Sequence, residues 1–284
     1  MKLIKHWYRF ANPRFQTVHL DYHVVPQPRY TKGENCHGEL LKTMQAADQE
    51  YSDRLSGYLG YKEQLGSIKE AGDASGDEPC WNNGFLPGLD IVGIYGMLSE
   101  FKSKKYVEVG SGNSTLVARK AVTDQNLPTK IVSIDPYPRT NIDEFSDEIH
   151  ALPLEKFGDL DMFSQLEAGD VLFVDNSHRS FANSDVTVVF MELIPRLKPG
   201  VIVHVHDIYL PYDYPQNMCD RLYNEQYLLA TMLWANPDRF KILLPNFYIS
   251  EHRELSQVMN PLWSMPNLKG VEQHGGSFWF QVTS

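Results

Sequence analysis

From residue 104 onward the sequence predicts an α/β fold, with a largely parallel sheet covered by helices on both faces. Three observations carry that expectation. Short apolar runs alternate with helical stretches (KYVEVG, NSTLVARKAV, KIVSIDP and onward), the spacing of βαβ units. The first run delivers the chain into Gly110-Ser111-Gly112 immediately before a helix. The second ends in Asp135, at the strand edge where such sheets bind ligands.

In chain order, residues 1–38 carry WYRF and HLDYHVVPQPRY, rich in aromatics, Pro and His without a helical period. They read as an irregular arm packed on the body or on a neighbouring subunit, which makes a homodimer an expectation. Residues 39–103 read as a helical extension. In it Leu40, Met44, Ala47 and Tyr51 are spaced three and four apart, the period of a buried helix face. AGDASGDEP, 71–79, is a solvated loop. A further helix runs from near Pro87 to about Phe101, with Leu89, Val92 and Leu98 on its buried side.

Residues 104–284 form the core. After the first strand and helix come a strand (KIVSIDP), a short helix (TNIDEFS), a strand (EIHALP) and a helix (DLDMFSQLE). Then follow a strand (DVLFVD), a helix (SDVTVVFMELIPRL) and a strand (GVIVHVHD). A long helix over CDRLYNEQYLLATMLWA, a strand RFKILLP and a terminal strand GSFWFQV complete the chain.

Composition narrows the function. The 284 residues are 42% apolar and 22% charged, which fits a folded globular chain and not a disordered or coiled-coil one. The formal net charge of −10 repels phosphate backbones, and no Lys/Arg block offsets it, so no nucleic-acid partner is expected. Cys36, Cys80 and Cys219 lie far apart, which is neither a disulfide framework nor a zinc ribbon. With no long apolar run at the start or elsewhere, a cytoplasmic protein without a membrane partner is the expectation.

VEVGSGNST, 107–115, is the most informative segment. The glycines permit a tight turn and close backbone approach to a ligand. Asn113 and Ser114 can cap the following helix, whose N–H groups point back at the same ligand. A dinucleotide fingerprint wants a third glycine where Thr115 stands, and has no use for Glu108 inside the strand. A carboxylate there suits a ligand with a cationic amino-acid part.

E-V-G-S-G-N-S-T followed by I-D-P resembles the first two motifs of class I S-adenosylmethionine-dependent methyltransferases. The resemblance spans about residues 80 to 282 and is nearest to the small-molecule O-methyltransferase branch of bacterial glycan and natural-product pathways. It implies a Rossmann-like seven-stranded sheet, mostly parallel with the last strand antiparallel, and S-adenosyl-L-methionine as cofactor. By that match Glu108, Gly110 and Ser111 line the methionine end, with Gly112, Asn113 and Ser114 completing the loop. Asp135 takes the ribose, and Leu154 and Glu155 border the adenine.

Two further strand ends carry chemistry. LFVDNSHRS places Asp175 at a strand tip with Asn176 and His178 in the loop, and VIVHVHD places His206 and Asp207 at the next tip. Neighbouring strands are about 4.8 Å apart, so these side chains can share one pocket. A hydroxyl acceptor needs a base to take its proton or a divalent metal to acidify it. His178 is the first candidate base and His206 the second, with Asp175 beside them. Asp175, His206 and Asp207 form a candidate metal set for Mg²⁺, Mn²⁺ or Fe²⁺. His204, inside the strand between valines, reads as a buried structural residue. Tyr209, Tyr212 and Tyr214 either stack on a substrate ring or pack their loop.

Together these features point to a methyltransferase acting on a hydroxyl of a small molecule, a sugar unit being one acceptor class, with or without metal assistance. The rivals on the same sheet are a metal-dependent hydroxylase and an NAD-dependent oxidoreductase. A third is a non-catalytic cofactor-binding or scaffold subunit.

Overall fold

The computed structural model describes residues 7–284 apart from 9, 14, 73–76, 139 and 140. The first six residues of the arm and the middle of the 71–79 loop lie outside the described residues.

Seven strands form one sheet: β1 Lys105–Val109, β2 Lys130–Ile134, β3 Glu148–His150, β4 Val171–Val174, β5 Ile202–Val205, β6 Phe240–Pro245 and β7 Phe278–Val282. Their spatial order is β3-β2-β1-β4-β5-β7-β6. β1 to β5 pair in parallel, and β7 inserts antiparallel between β5 and β6. This is the expected mostly parallel seven-stranded sheet. β4 and β5 are buried along their whole length, which is why they read as mostly apolar runs, broken only by His204 in β5, and not as alternating ones. The chain winds outward from β1 through β2 to β3, then returns to β4 on β1's other side. The carboxyl ends of β1 and β4 thus flank the point where strand order reverses, the crevice in which open α/β sheets bind ligands.

Helix Gly88–Phe101 starts after Pro87 as the sequence suggests, but it has no exposed side. Residues from Gly88 to Ser99 are buried all round. Helices Gly38–Gln45 and Asp48–Tyr58 bury Leu40, Met44, Tyr51, Leu55 and Tyr58, and these residues join the same apolar core as the sheet. The arm is held at Arg29 and Tyr30, whose N–H groups donate to Asp213 at 2.7 and 3.0 Å. Its earlier part leaves Trp7, Tyr8 and Phe10 exposed. No described helix is long and apolar enough to cross a membrane.

Three helices differ from expectation, each for a local reason. Within TNIDEFS, residues 141–146 make a single turn, with the Phe145 and Ser146 N–H groups both bonded to the Ile142 carbonyl and Asn141 accepting from Asp143 N–H, an Asx arrangement that competes with helix; Thr140 lies outside the described residues. The run from Asp185 changes pitch, from α through a widened turn at Val189–Leu193 to a tight one at Ile194–Arg196; Pro195 lacks the N–H to continue the ladder. The long helix after Cys219 is split. Helix Gln216–Cys219 ends, Leu222 turns left-handed at φ 60°, and helix Glu225–Ala235 begins. Tertiary bonds hold the break: Asn224 N–H donates to the His178 carbonyl and the Asn224 side chain accepts from Ser180 N–H. Helices Asn246–Glu251 and Asn260–Trp263, between β6 and β7, have no counterpart in the sequence reading.

Candidate active site

At the end of β1, Gly110 adopts φ +84°, and a Cβ there would come within 1.9 Å of the Asp175 carbonyl oxygen. Only glycine lets the β1 and β4 tips approach this closely. Ser111 then donates through both N–H and Oγ to Asp135, at 2.8 and 3.1 Å, tying the loop to the end of β2. The Thr115 hydroxyl has a use that the absent third glycine obscured. It accepts from Gly112 N–H at 3.1 Å and donates to Glu108 at 2.5 Å. Ser133 and Ser114 hydroxyls complete the cradle of Glu108, at 2.5 and 3.1 Å.

A cavity of about 720 Å³ opens in front of this loop, walled by Gly110, Ser111, Asp135, Leu154, Glu155 and Asp175 among others. Gln16 and Val18 of the arm also reach it. Glu108, Gly112, Asn113 and Ser114 are not on its wall. Glu108 is wholly buried, and burial pushes its carboxyl up to about 7 against the pull of the three hydroxyls. In this structure it braces the loop from beneath.

The second assembly sits at the tips of β4 and β5. His178 Nε2 lies 3.4 Å from both Asp175 and Asp207, while its Nδ1 meets Glu225 at 2.9 Å. His206 mirrors it, with Nδ1 3.6 Å from Asp175 and 3.8 Å from Asp207 and Nε2 3.2 Å from Asp90. Asp175 and Asp207 thus stand between two imidazoles, each backed by a wholly buried carboxylate. His178 and Asp207 both take left-handed backbone conformations, φ 61° and 56°, a strain that tends to gather at functional sites. Asp90 is fixed in turn by Gly276 and Ser277 N–H groups and by the Asn246 amide.

The charges follow from this geometry. Burial opposes charge on His178, but Asp175 and Glu225 more than offset it and push its pKa up to about 10. His206 is likewise held well above its ordinary range by Asp175, Asp90 and Asp207 despite burial. Burial would raise Asp175, yet the two imidazoles hold it well below the usual carboxylate range. The acids around them thus hold both histidines towards the imidazolium form.

Asp175, His206 and Asp207 do come together, but not as a metal centre. No group of three or more His, Cys, Asp or Glu among the described residues is arranged to hold an ion. The physical reason is that both ring nitrogens of His178 and of His206 already face carboxylates, so neither ring has a nitrogen directed at a shared ion position. The donor set thus does not fit the expected divalent metal, and the redox metal required by the hydroxylase rival has no better seat.

Other expected residues divide. His204 is the structural residue foreseen: it stacks on Phe173 at 3.8 Å and bonds Ser277 Oγ at 2.7 Å. Tyr214 is buried in its own loop cluster. Tyr209 faces a smaller pocket of about 170 Å³, shared with Phe85, His206, Asp207, Glu272, His274, Gly275 and Gly276. The sequence reading missed Asp90, Glu225, Glu272 and His274. Only Asp90 left a signal, as a lone acid in the apolar run GLDIVGIYGML.

Residues 107–208, from within β1 to just past the end of β5, match the profile of a methyltransferase domain family. This part of the chain is a methyltransferase domain. Its strand order and glycine loop place the domain in class I. No curated protein matches the sequence. Among solved structures, the domain is similar to the O-methyltransferase TomG of Streptomyces achromogenes, involved in tomaymycin synthesis and solved with S-adenosylmethionine. The identity is 15%, over 67% of this chain and 78% of that one, at a TM-score of 0.37. The methyltransferase PaMTH1 of Podospora anserina, bound to S-adenosylhomocysteine, is 15% identical over 93% and 100% of the two chains, with a TM-score of 0.41. An O-methyltransferase of Bacillus cereus, also with S-adenosylhomocysteine, is 13% identical over 84% and 97%, with a TM-score of 0.36. Superpositions this loose add nothing to the domain assignment, which stands on the profile match and the strand order.

Proposed function

We propose that the protein transfers the methyl group of S-adenosylmethionine to a hydroxyl of a small polar acceptor, a sugar unit being the class that fits best. The observation that carries this reading is the position of Asp175. It walls the larger cavity and also lies 3.6 Å from His206, which walls the smaller one. A donor in the first space and an acceptor in the second would meet at the acid–histidine cluster. Asp135 stands where a ribose would present its hydroxyls. The smaller pocket, below the roughly 300–1,000 Å³ of drug-sized sites, takes a single ring. Phe85 and Tyr209 offer aromatic faces there, and Asp207, Glu272 and His274 offer polar edges, the mixed surface that a sugar requires.

In the transfer, the acceptor oxygen attacks the sulfonium methyl carbon. The C–S bond breaks with its electron pair going to sulfur, and the hydroxyl proton leaves to a base. His178, the first candidate from sequence, is held towards its cationic form by Asp175 and Glu225. The proton therefore passes to Asp207, while His178 and His206 orient Asp207 and Asp175. A carboxylate suffices, because a hydroxyl becomes strongly acidic as its oxygen is methylated.

Calorimetric titration with S-adenosylhomocysteine, with NAD in parallel, tests the cofactor half. Saturable micromolar binding of the former alone is expected. Preferential binding of NAD would overturn the reading and bring the oxidoreductase forward.

A further inference from the structure

Next to the cluster, the ring of Tyr223 gathers more positive charge than methyl transfer explains. Arg179 places its guanidinium carbon 4.9 Å from the ring centroid and Arg221 places its own 4.4 Å away. The His178 ring packs on the same tyrosine at 4.6 Å. Arg179 is held rigidly: Nε donates to the Arg221 carbonyl at 2.8 Å and Nη1 to the Ser177 carbonyl at 2.7 Å. Those bonds use two of the five N–H donors of a guanidinium and leave three directed elsewhere.

Among the described residues, neither arginine has a carboxylate within ion-pair distance. The arginine ion pairs among the described residues are Arg54–Glu100 and Arg119–Asp147. Asp185, the carboxylate that acts on Arg179 from a distance, is occupied by the Ser177 N–H and hydroxyl at 2.9 and 2.6 Å. In a chain of net charge −10, acids are not in short supply, yet two guanidiniums converge without one. Burial and the nearness of Arg221 both disfavour the charge on Arg179. Stacking on one tyrosine does not relieve repulsion between two cations. An anion shared by both would.

The position links this feature to the reaction. His178, next to Arg179 in the chain, packs on Tyr223 and faces Asp175 and Asp207, and Asp207 walls the smaller pocket assigned to the acceptor. We infer that Arg179 and Arg221 seat a phosphoryl group carried by the acceptor, so that the substrate class is a sugar bearing a phosphate monoester. Two guanidinium forks match a doubly charged group with three terminal oxygens better than a singly charged carboxylate with two. The link to the acceptor rests on the methyl-transfer reading; the anion seat does not.

The test titrates the full chain, saturated with S-adenosylhomocysteine, with inorganic phosphate at low ionic strength, with acetate in parallel. Saturable phosphate binding is expected, weakened about tenfold or more in Arg179→Gln and in Arg221→Gln. Arg221→Lys, which keeps the charge and loses the fork, should fall between. Arg221 is exposed, so its variants keep the fold, and unchanged S-adenosylhomocysteine affinity verifies this. Phosphate binding that is equal in the wild type and both Gln variants would overturn the seat. Acetate binding as tight as phosphate would overturn the phosphoryl assignment. If S-adenosylhomocysteine itself fails to bind, the methyl-transfer reading falls, and the phosphate titration still decides the seat on the free protein.

Discussion

The glycine-loop side of the crevice, the proposed cofactor side, takes its loop and its acid from one stretch, Glu108 to Asp135, and joins them with neutral donors: Ser111 N–H and Oγ, Gly112 N–H, and the hydroxyls of Ser114, Thr115 and Ser133. The acid–histidine side draws on residues as distant as Asp90 and Gly276, 186 positions apart, and joins them largely by charge. The contrast has an energetic consequence. A loop held by neutral donors keeps its shape when one bond is lost, at about 1 kcal/mol each. A buried charge network does not, because removing one member strands another. Damage on the cofactor side should stay local, while damage on the other side should spread.

The largest effect is expected from Asp207→Asn. Asparagine tolerates the left-handed backbone that Asp207 adopts, so the substitution removes the carboxylate that faces both histidines without straining the backbone. Turnover, followed as S-adenosylhomocysteine release with a sugar acceptor at saturation, should fall by roughly 10²–10⁴-fold, the usual contribution of a general base. Affinity for S-adenosylhomocysteine should not change. Turnover at the wild-type level would move the base to another member of the cluster.

Asp90→Ala comes next, and it probes how far damage spreads. The Asp90 carboxylate bonds Gly276 and Ser277 N–H, the Asn246 amide and His206. Its removal leaves a buried imidazole without its partner, a change that costs about 3–5 kcal/mol in comparable buried pairs. Urea unfolding should show that loss. Because Gly276 walls the small pocket, acceptor KM should rise as well. A stability change under about 1 kcal/mol would show that the network is looser than its distances imply.

The same contrast explains what could be read from the sequence. β1, β2, β4 and β5 were legible because burial on both faces makes them short, mostly apolar runs, and Gly110 because its turn lies between a strand and a helix. The Asp175, His178, His206 and Asp207 grouping was legible because adjacent strand tips are adjacent in space. Asp90 and Glu225 were not, since they approach His206 and His178 from 116 and 47 residues away through helix docking that no local pattern encodes. The upward pKa shift of the two histidines was hidden for the same reason: it is set by those two acids as well as by Asp175. The break at Leu222 was equally hidden, because Asn224 is held by the 178–180 loop and not by its own neighbours.

Glu108 offers the smallest and most selective probe, since it sits on the neutral side as that side's one buried acid. Its folded-state pKa of about 7 lies above the ordinary 4.5. Between these values the native protein keeps a proton that the unfolded chain releases. Glu108 therefore lowers stability progressively as pH rises from about 4.5 to about 7, and no further above that. The gap between the two values corresponds to about 3 kcal/mol at most. Glu108→Gln imitates the protonated carboxyl at every pH, so its unfolding free energy should lack this decline while retaining the slopes due to the histidines. Urea unfolding of both proteins at about pH 5 and pH 8 isolates the difference. The two should be close at the lower pH, with the variant more stable at the higher one. Curves that stay parallel would mean that the three hydroxyls suffice to keep Glu108 ionised, which would leave an anion beneath the loop for the cationic end of the cofactor.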